Sequence, residues 1–139
     1  GQPCRRIVEF VDIYPTLTEL AGLPTPKQVE GRSLKRLLDN PLTQWNGTAI
    51  TQVLRPADDR LKDPVMGRSI RTERWRYSDW GEGKYGEELY DHFADPMEFN
   101  NLALNPTKEN RRIIKSLKKE LTEKASGKVP TTPFNPKRL

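Results

Sequence analysis

Between Met66 and Leu102 apolar and polar positions alternate with a period of two. Trp75, Tyr77 and Asp79 interleave with Arg74, Arg76, Ser78 and Trp80, a strand-compatible run precedes them at 66–72, and Leu89 stands between charged neighbours at 87–92. Aromatic and β-branched residues at that period suit a pleated, half-buried surface, and Gly81, Gly83 and Gly86 interrupt it. The pattern predicts three antiparallel strands in a meander. The turn near Glu73-Arg74 lacks the Asn-Gly chemistry of a tight hairpin. A further strand is predicted at Thr48–Leu54, ending at Arg55-Pro56 because proline cannot donate to a ladder. Ala57 to Pro64 is charged and irregular, a surface loop.

The helical period appears on either side of this block. Ile7–Val11 reads as a strand or the lead-in to a helix, and Asp12 as the N-cap of a helix that carries Leu17, Leu20 and Ala21 at i, i+3 and i+4 and closes at Gly22. Ser33 is placed to cap a short helix through Leu34, Leu37 and Leu38 that Pro41 stops. Asn105-Pro106 reads as N-cap and first residue of a last helix to about Ala125, with an apolar stripe of Ile113, Ile114, Leu117 and Leu121. Lys118, Lys119 and Lys124 near its end suit the negative pole of the helix dipole, and Gly127 is expected to end it. Lys128 to Leu139, with three prolines and no apolar period, is expected to wrap the surface or stay mobile. The whole is an α+β arrangement, a small sheet of about four antiparallel strands packed with a C-terminal helix.

Composition narrows the chemistry. Of 139 residues 34% are hydrophobic and 31% charged, and no run approaches the ~20 apolar residues of a membrane span. A net charge of +5 raises the possibility of polyanion binding, and residues 108 to 124 gather seven Lys and Arg on one predicted helix, a pattern also met on solvated helix faces. No nucleic-acid-binding motif accompanies the charge. One Cys, Cys4, excludes an internal disulfide, and one His, His92, together with it excludes a zinc site of the usual Cys/His kind. His92 reads as a packed or surface residue in a strand. No signal-type apolar region occurs near Gly1, so the signal of an exported protein would lie outside this chain. No phosphate loop or nucleophile elbow occurs. Glu87 and Glu88, adjacent on a strand, point to opposite faces and cannot converge on one bond or metal; Asp58-Asp59 lies in a loop. Asn46-Gly47-Thr48 fits a glycosylation sequon.

Two long stretches resemble the C-terminal part of the sulfatases of the alkaline-phosphatase superfamily. VEFVDIYPTLTELAGLP at 8–24 is similar to the family's V-D-x-x-P-T-L-x-x-L-A-G-L, and Glu30-Gly31-Arg32-Ser33-Leu34 follows where the family reads G-x-S-L. Arg71-Thr72, Arg76-Tyr77, Glu88-Leu89-Tyr90-Asp91 and Asp95-Pro96-x-Glu98-x-x-Asn101-Leu102 are similar to its R-T-x-x-x-R-Y, E-L-Y-D and D-P-x-E-x-x-N-L. Met66-Gly67-Arg68-Ser69-Ile70-Arg71-Thr72, with Arg55-Pro56 before it and Trp80 after, looks most like the iduronate-2-sulfatase branch.

The resemblance implies sulfate-ester hydrolysis with a formylglycine nucleophile and calcium, both supplied by a larger N-terminal domain absent from this chain. Cys4, followed by Arg5-Arg6-Ile7, departs from the C-x-P-S-R pattern and is not that nucleophile, so neither catalytic nor metal-ligating residues are assigned here. Residues 1–40 are expected to be the end of the large α/β domain, 41–127 the C-terminal subdomain and 128–139 a tail. Arg55 is the candidate for forking onto an anionic sugar and Trp80 for an apolar wall beside it. The implied partners are the N-terminal domain and a sulfated carbohydrate, with neither nucleic acid nor membrane, and such proteins are usually periplasmic, extracellular or lysosomal. Cut from that domain, Leu17, Leu20 and Leu23 would be exposed and would drive self-association unless they repack. A noncatalytic module that holds sulfated or other polyanionic polymers on the basic helix is the alternative reading.

Overall fold

The computed structural model describes residues 1–125 other than 58 and 61, so Gly127 as helix end, the 128–139 tail and half of the Asp58-Asp59 pair lie outside the described residues. A 3₁₀ turn at Phe10–Asp12 leads into α1 (Ile13–Leu20), followed by α2 (Lys35–Asp39), β1 (Ala49–Arg55), β2 (Val65–Arg71), β3 (Trp75–Trp80), β4 (Glu87–Asp91) and α3 (Lys108–Ala125). The strands form one antiparallel sheet in the order β1-β2-β3-β4. This is the expected α+β meander.

Register decides which side chains meet. Ile50, Ile70, Tyr77 and Leu89 are successive partners across all four strands and make one apolar row. Ile70, Tyr77 and Leu89 are fully buried in it, against Leu117, Leu121 and Ala125 of α3. The next row on the same face is Gln52, Arg68, Asp79 and Glu87, all polar. Asp79 is fully buried, and Arg68 forks onto it with Nε–Oδ1 at 3.0 Å and Nη2–Oδ2 at 2.8 Å. Glu87 Oε1 accepts from the Tyr77 hydroxyl at 2.8 Å and from Lys118 Nζ at 2.6 Å, so sheet and helix share one carboxylate. Glu87 therefore turns toward α3, as the alternation of a strand requires.

The outer edge of β4 is closed by a side chain. Asn101 Oδ1 accepts the Leu89 N–H at 3.1 Å, its Nδ2 donates to the Glu87 carbonyl at 3.2 Å, and Leu102 N–H donates to the Leu89 carbonyl at 2.9 Å. The turn without Asn-Gly between β2 and β3 is held instead by Thr72, whose hydroxyl accepts the Trp75 N–H at 2.8 Å and whose N–H donates to the Trp75 carbonyl at 2.8 Å.

The N-terminal elements depart from the expectation in instructive ways. Ile7–Val11 forms no strand; its end enters the 3₁₀ turn that leads into α1, the second of its two readings. Asp12 does not cap α1 with its side chain: its carboxylate accepts the Glu9 N–H at 3.0 Å and the Arg32 N–H at 2.9 Å, bonds that tie two loops together. Thr16 continues the tie, its hydroxyl accepting the Leu34 N–H at 2.8 Å. A Cβ on Gly31 would fall 2.0 Å from the Val11 carbonyl oxygen, so the segments approach as only glycine allows. Ser33 does serve α2, accepting the Lys35 N–H at 3.1 Å. Gly22 closes α1 as expected, with Leu23 N–H to the Thr18 carbonyl at 2.9 Å and Gly22 N–H to the Glu19 carbonyl at 3.1 Å. The cap of α3 is Thr107, not Asn105: its hydroxyl accepts the Asn110 N–H at 3.1 Å.

The buried face of α1 is Pro15, Thr16 and Thr18, and its leucines look outward. Phe10 is 91% exposed, Leu17 60%, Leu20 53% and Leu23 61%. Leu121→Ala should destabilise the fold by about 2–5 kcal/mol, the cost of a cavity beneath Tyr77, whereas Leu17→Ser should stay within about 0.5 kcal/mol, both read from chemical denaturation.

The Lys118 ammonium, and then the Tyr77 hydroxyl, hold the Glu87 carboxyl below the usual carboxylate range against the opposing effect of burial. A folded-state value below the unfolded one contributes stability above the ordinary carboxylate range that is lost as pH falls through the folded value. Glu87→Gln should therefore lower the melting temperature most near neutral pH, with wild type and variant converging under acid.

Candidate functional site

The face of the sheet turned away from α3 has no covering layer among the described residues. Its rows run Ala49–Arg71–Arg76–Tyr90, Thr51–Ser69–Ser78–Glu88 and Val53–Gly67–Trp80, with Arg55 paired to Val65 beyond them. Most of these side chains are small, so the large ones at the margins have room to lie flat. A Cβ on Gly67 would sit 2.6 Å from Trp80 Cζ3. The indole of β3 thus crosses β2 through the gap that Gly67 leaves and reaches β1, where the Arg55 guanidinium carbon lies 4.5 Å from its ring centroid.

Sequence-level candidates Arg55 and Trp80 are therefore in contact. Arg55 is exposed and forms no ion pair or side-chain hydrogen bond with any described residue. Beside it opens a cleft of about 610 Å³ between the β1–β2 connection, the β3–β4 turn and the loop at 101–104, lined by Arg55, Val65, Trp80, Tyr85, Glu88 and Leu104 among others. Sequence reasoning passed over Gly67 and Tyr85. The glycine carried a usable signal, since glycine inside a strand often marks a close approach of another group; Tyr85 carried none beyond its place in a glycine-rich turn.

The other end of this face is occupied by a polar clamp. Arg76 Nη1 lies 2.8 Å from Glu98 Oε2, and His92 Nε2 lies 2.5 Å from Glu98 Oε1. His92 stands just past the end of β4, not within a strand, and packs against this carboxylate. Glu98 holds φ of +59°, costly for a non-glycine residue and offset here by its two cationic or donor partners. Arg71 donates to the carbonyls of Thr72 and Trp75, and burial followed by the charge of Arg76 pushes its guanidinium below its ordinary value. Arg74 forks onto Asp91, with contacts of 3.0 and 2.7 Å, and the pair holds the Asp91 carboxyl low. These motif residues fasten the sheet and its loops.

Cys4 is exposed, its thiol donating to the Pro41 carbonyl at 3.6 Å, and among the described residues no group of three or more His, Cys, Asp and Glu comes together to hold a metal. The basic helix is also less available than its composition suggests. Lys118 pairs with Glu87 at 2.6 Å and Lys124 with Glu120 at 2.8 Å, while Lys124 also donates to the Thr48 hydroxyl and Lys119 lies 3.8 Å from Glu123. These pairings engage three of the seven basic residues of that helix. The same Lys124 bond engages the hydroxyl of the Asn46 sequon. No helix among the described residues is long and apolar enough to cross a membrane.

Residues 1–127 match the family model described as N-sulphoglucosamine sulphohydrolase, C-terminal. The chain is similar to arylsulfatase K of Canis lupus familiaris, 30% identical over 111 residues that cover 74% of this chain and 20% of the relative. It is 34% identical over 96 residues to the Delta 4,5-hexuronate-2-O-sulfatase of Bacteroides thetaiotaomicron, covering 69% of this chain and 19% of that protein. Among solved structures it resembles a 2-O GAG sulfatase, with a TM-score of 0.62 and 28% identity over 83% of this chain and 24% of that one. The chain spans about a fifth of the length of these curated relatives. With the match running through both motif stretches and the whole helix-backed meander, the chain belongs to the family of N-sulphoglucosamine sulphohydrolase C-terminal domains and is a C-terminal sulfatase domain.

Proposed function

We propose that this chain is the C-terminal portion of a sulfuric ester hydrolase that removes the 2-O-sulfate of a uronate sugar, of the iduronate-2-sulfatase kind. The match of residues 1–127 to a sulfatase C-terminal model carries the reading. The finer part draws on the hexuronate-2-O-sulfatase and the 2-O GAG sulfatase among the similar proteins, because iduronate is itself a hexuronate and both names place the ester at the same oxygen. The chain contributes the wall of the cleft and part of the substrate selection, through Arg55 and Trp80, while formylglycine and calcium belong to an N-terminal catalytic portion.

That portion is also the partner proposed for α1. Phe10, Leu17, Leu20 and Leu23 leave an apolar helix face uncovered, and monomeric proteins rarely leave contiguous apolar area of this kind in water. Relatives about five times as long supply the polypeptide to cover it.

Joined to its catalytic portion, the protein should release sulfate from an unsaturated 2-O-sulfated hexuronate disaccharide and not from a 6-O-sulfated glucosamine, as measured by ion chromatography; the opposite preference would refute the 2-O assignment. Alone, the chain should self-associate with rising concentration in analytical ultracentrifugation, and Leu17→Ser with Leu20→Ser should abolish this. A wild-type chain that stays monomeric throughout would remove the argument for α1 as the docking face.

A further inference from the structure

We infer that the cleft beside the β3–β4 turn is a subsite for an anionic pyranose in which Arg55 grips a carboxylate or sulfate, Tyr85 supports the sugar ring, and Trp80 is a positioning residue that holds the guanidinium. The inference rests on the sulfated-carbohydrate reading above and differs from the sequence expectation in the part given to Trp80.

Trp80 is committed to the protein: its ring is laid against the backbone at Gly67 and carries the Arg55 guanidinium at 4.5 Å. The ring is half-buried and borders the cleft beside Arg55. Stacking uses the faces of a planar guanidinium and leaves its N–H donors in the plane, where they can meet the two oxygens of a carboxylate or sulfate. A long flexible side chain held against a ring in advance loses less freedom when it binds.

The remaining lining suits a sugar bearing that anion. Tyr85 is 48% exposed and is steadied from below, where a Cβ on Gly81 would meet its ring edge at 2.7 Å, while Lys84 Nζ lies 5.1 Å from the ring centroid. Glu88 is an acceptor for hydroxyl groups. The other carboxylate of the cleft, Glu87, is engaged by Lys118 and Tyr77 and turned toward α3. A volume of about 610 Å³ lies within the usual range of small-molecule sites.

The test is calorimetric and NMR titration of the 139-residue chain with an unsaturated 2-O-sulfated hexuronate–glucosamine disaccharide, its desulfated form and lactose. Both anionic sugars should bind, the sulfated one more tightly, with shifts at the Trp80 indole N–H and Tyr85. Arg55→Ala should weaken the anionic sugars roughly tenfold or more and Arg55→Lys by less, since an ammonium keeps the charge without the fork. Trp80→Ala and Gly67→Ala should reproduce the Arg55→Ala loss, and Trp80→Phe should restore much of the binding. Tyr85→Ala should weaken every sugar that binds.

Unchanged binding in Arg55→Ala, or shifts confined to the lysines of α3, would overturn the subsite. So would a protein joined to its catalytic portion in which Arg55→Ala leaves KM for the anionic disaccharide unchanged while lowering stability, the behaviour of an Arg bridging to an acid of that portion. Release of sulfate from a position other than 2-O, with the Arg55 effect on KM retained, would reject the uronate-2-O reading and leave the anionic subsite standing.

Discussion

One row of side chains across the sheet, Ile50, Ile70, Tyr77 and Leu89, makes the rest of the fold possible, because it is where α3 gains enough apolar contact to stay. The row next to it is polar, and its central pair, Arg68 and Asp79, is largely removed from water. A buried ion pair contributes little net stability against an apolar substitute, yet losing one partner leaves an uncompensated charge at a cost of about 3–5 kcal/mol. Here the pair also selects register. Arg68 and Asp79 are direct cross-strand partners, and a slip of one residue would carry Asp79 to the open face and Ser78 into the core. The apolar row supplies adhesion and the polar row supplies alignment.

The strands and α3 were legible in the sequence because their periodicity refers to neighbours within the chain. Tyr77 and Leu89 alternate toward a helix that the same sequence supplies, and the predicted core stripe, with Leu117 and Leu121 at its centre, is where α3 packs. The period in α1 was equally clear and pointed elsewhere. Leu17, Leu20 and Ala21 identify an apolar face, but a period names the face and not its occupant. Within this chain the inward side of α1 is made of Pro15, Thr16 and Thr18, whose polar groups knit residues 12–18 to the 25–34 loop. Asp12 takes the expected N-cap position of α1 without the capping bond, for a related reason. A carboxylate at a helix start can cap it or can reach a distant N–H, and the Arg32 amide, twenty residues away in sequence, is invisible to local reasoning.

The candidate site was partly legible and for a different reason. Arg55 and Trp80 could be named from resemblance and chemistry, but their contact depends on Gly67 lying between them in the sheet, a fact of register. Without it Trp80 reads as a wall; with it the same residue becomes the surface on which a guanidinium rests. The basic helix misleads in the opposite direction. Counted along the sequence its lysines look like a binding surface, whereas Lys118 joins the helix to Glu87 of the sheet and Lys119 and Lys124 face acids one turn away.

The α1 face and the cleft at the margin of the open sheet differ in kind, and that difference separates the proposed docking from the proposed recognition. The α1 face is mostly apolar, with Leu17 and Leu20 exposed beside Tyr14 and Glu19, so what fits it is a complementary packed surface of the sort a covalently continuous domain provides. At the margin of the open sheet, by contrast, stand the exposed Arg55 guanidinium held against Trp80, a second arginine, Arg60, a half-exposed tyrosine and a carboxylate, spaced around a cleft. Such a surface gains little from being covered by protein and much from a ligand that carries its own anion and hydroxyls, because desolvating Arg55 against anything that could not answer its donors would cost more than the contact returned. On the function proposed above, the chain is held by one face while it selects with the other.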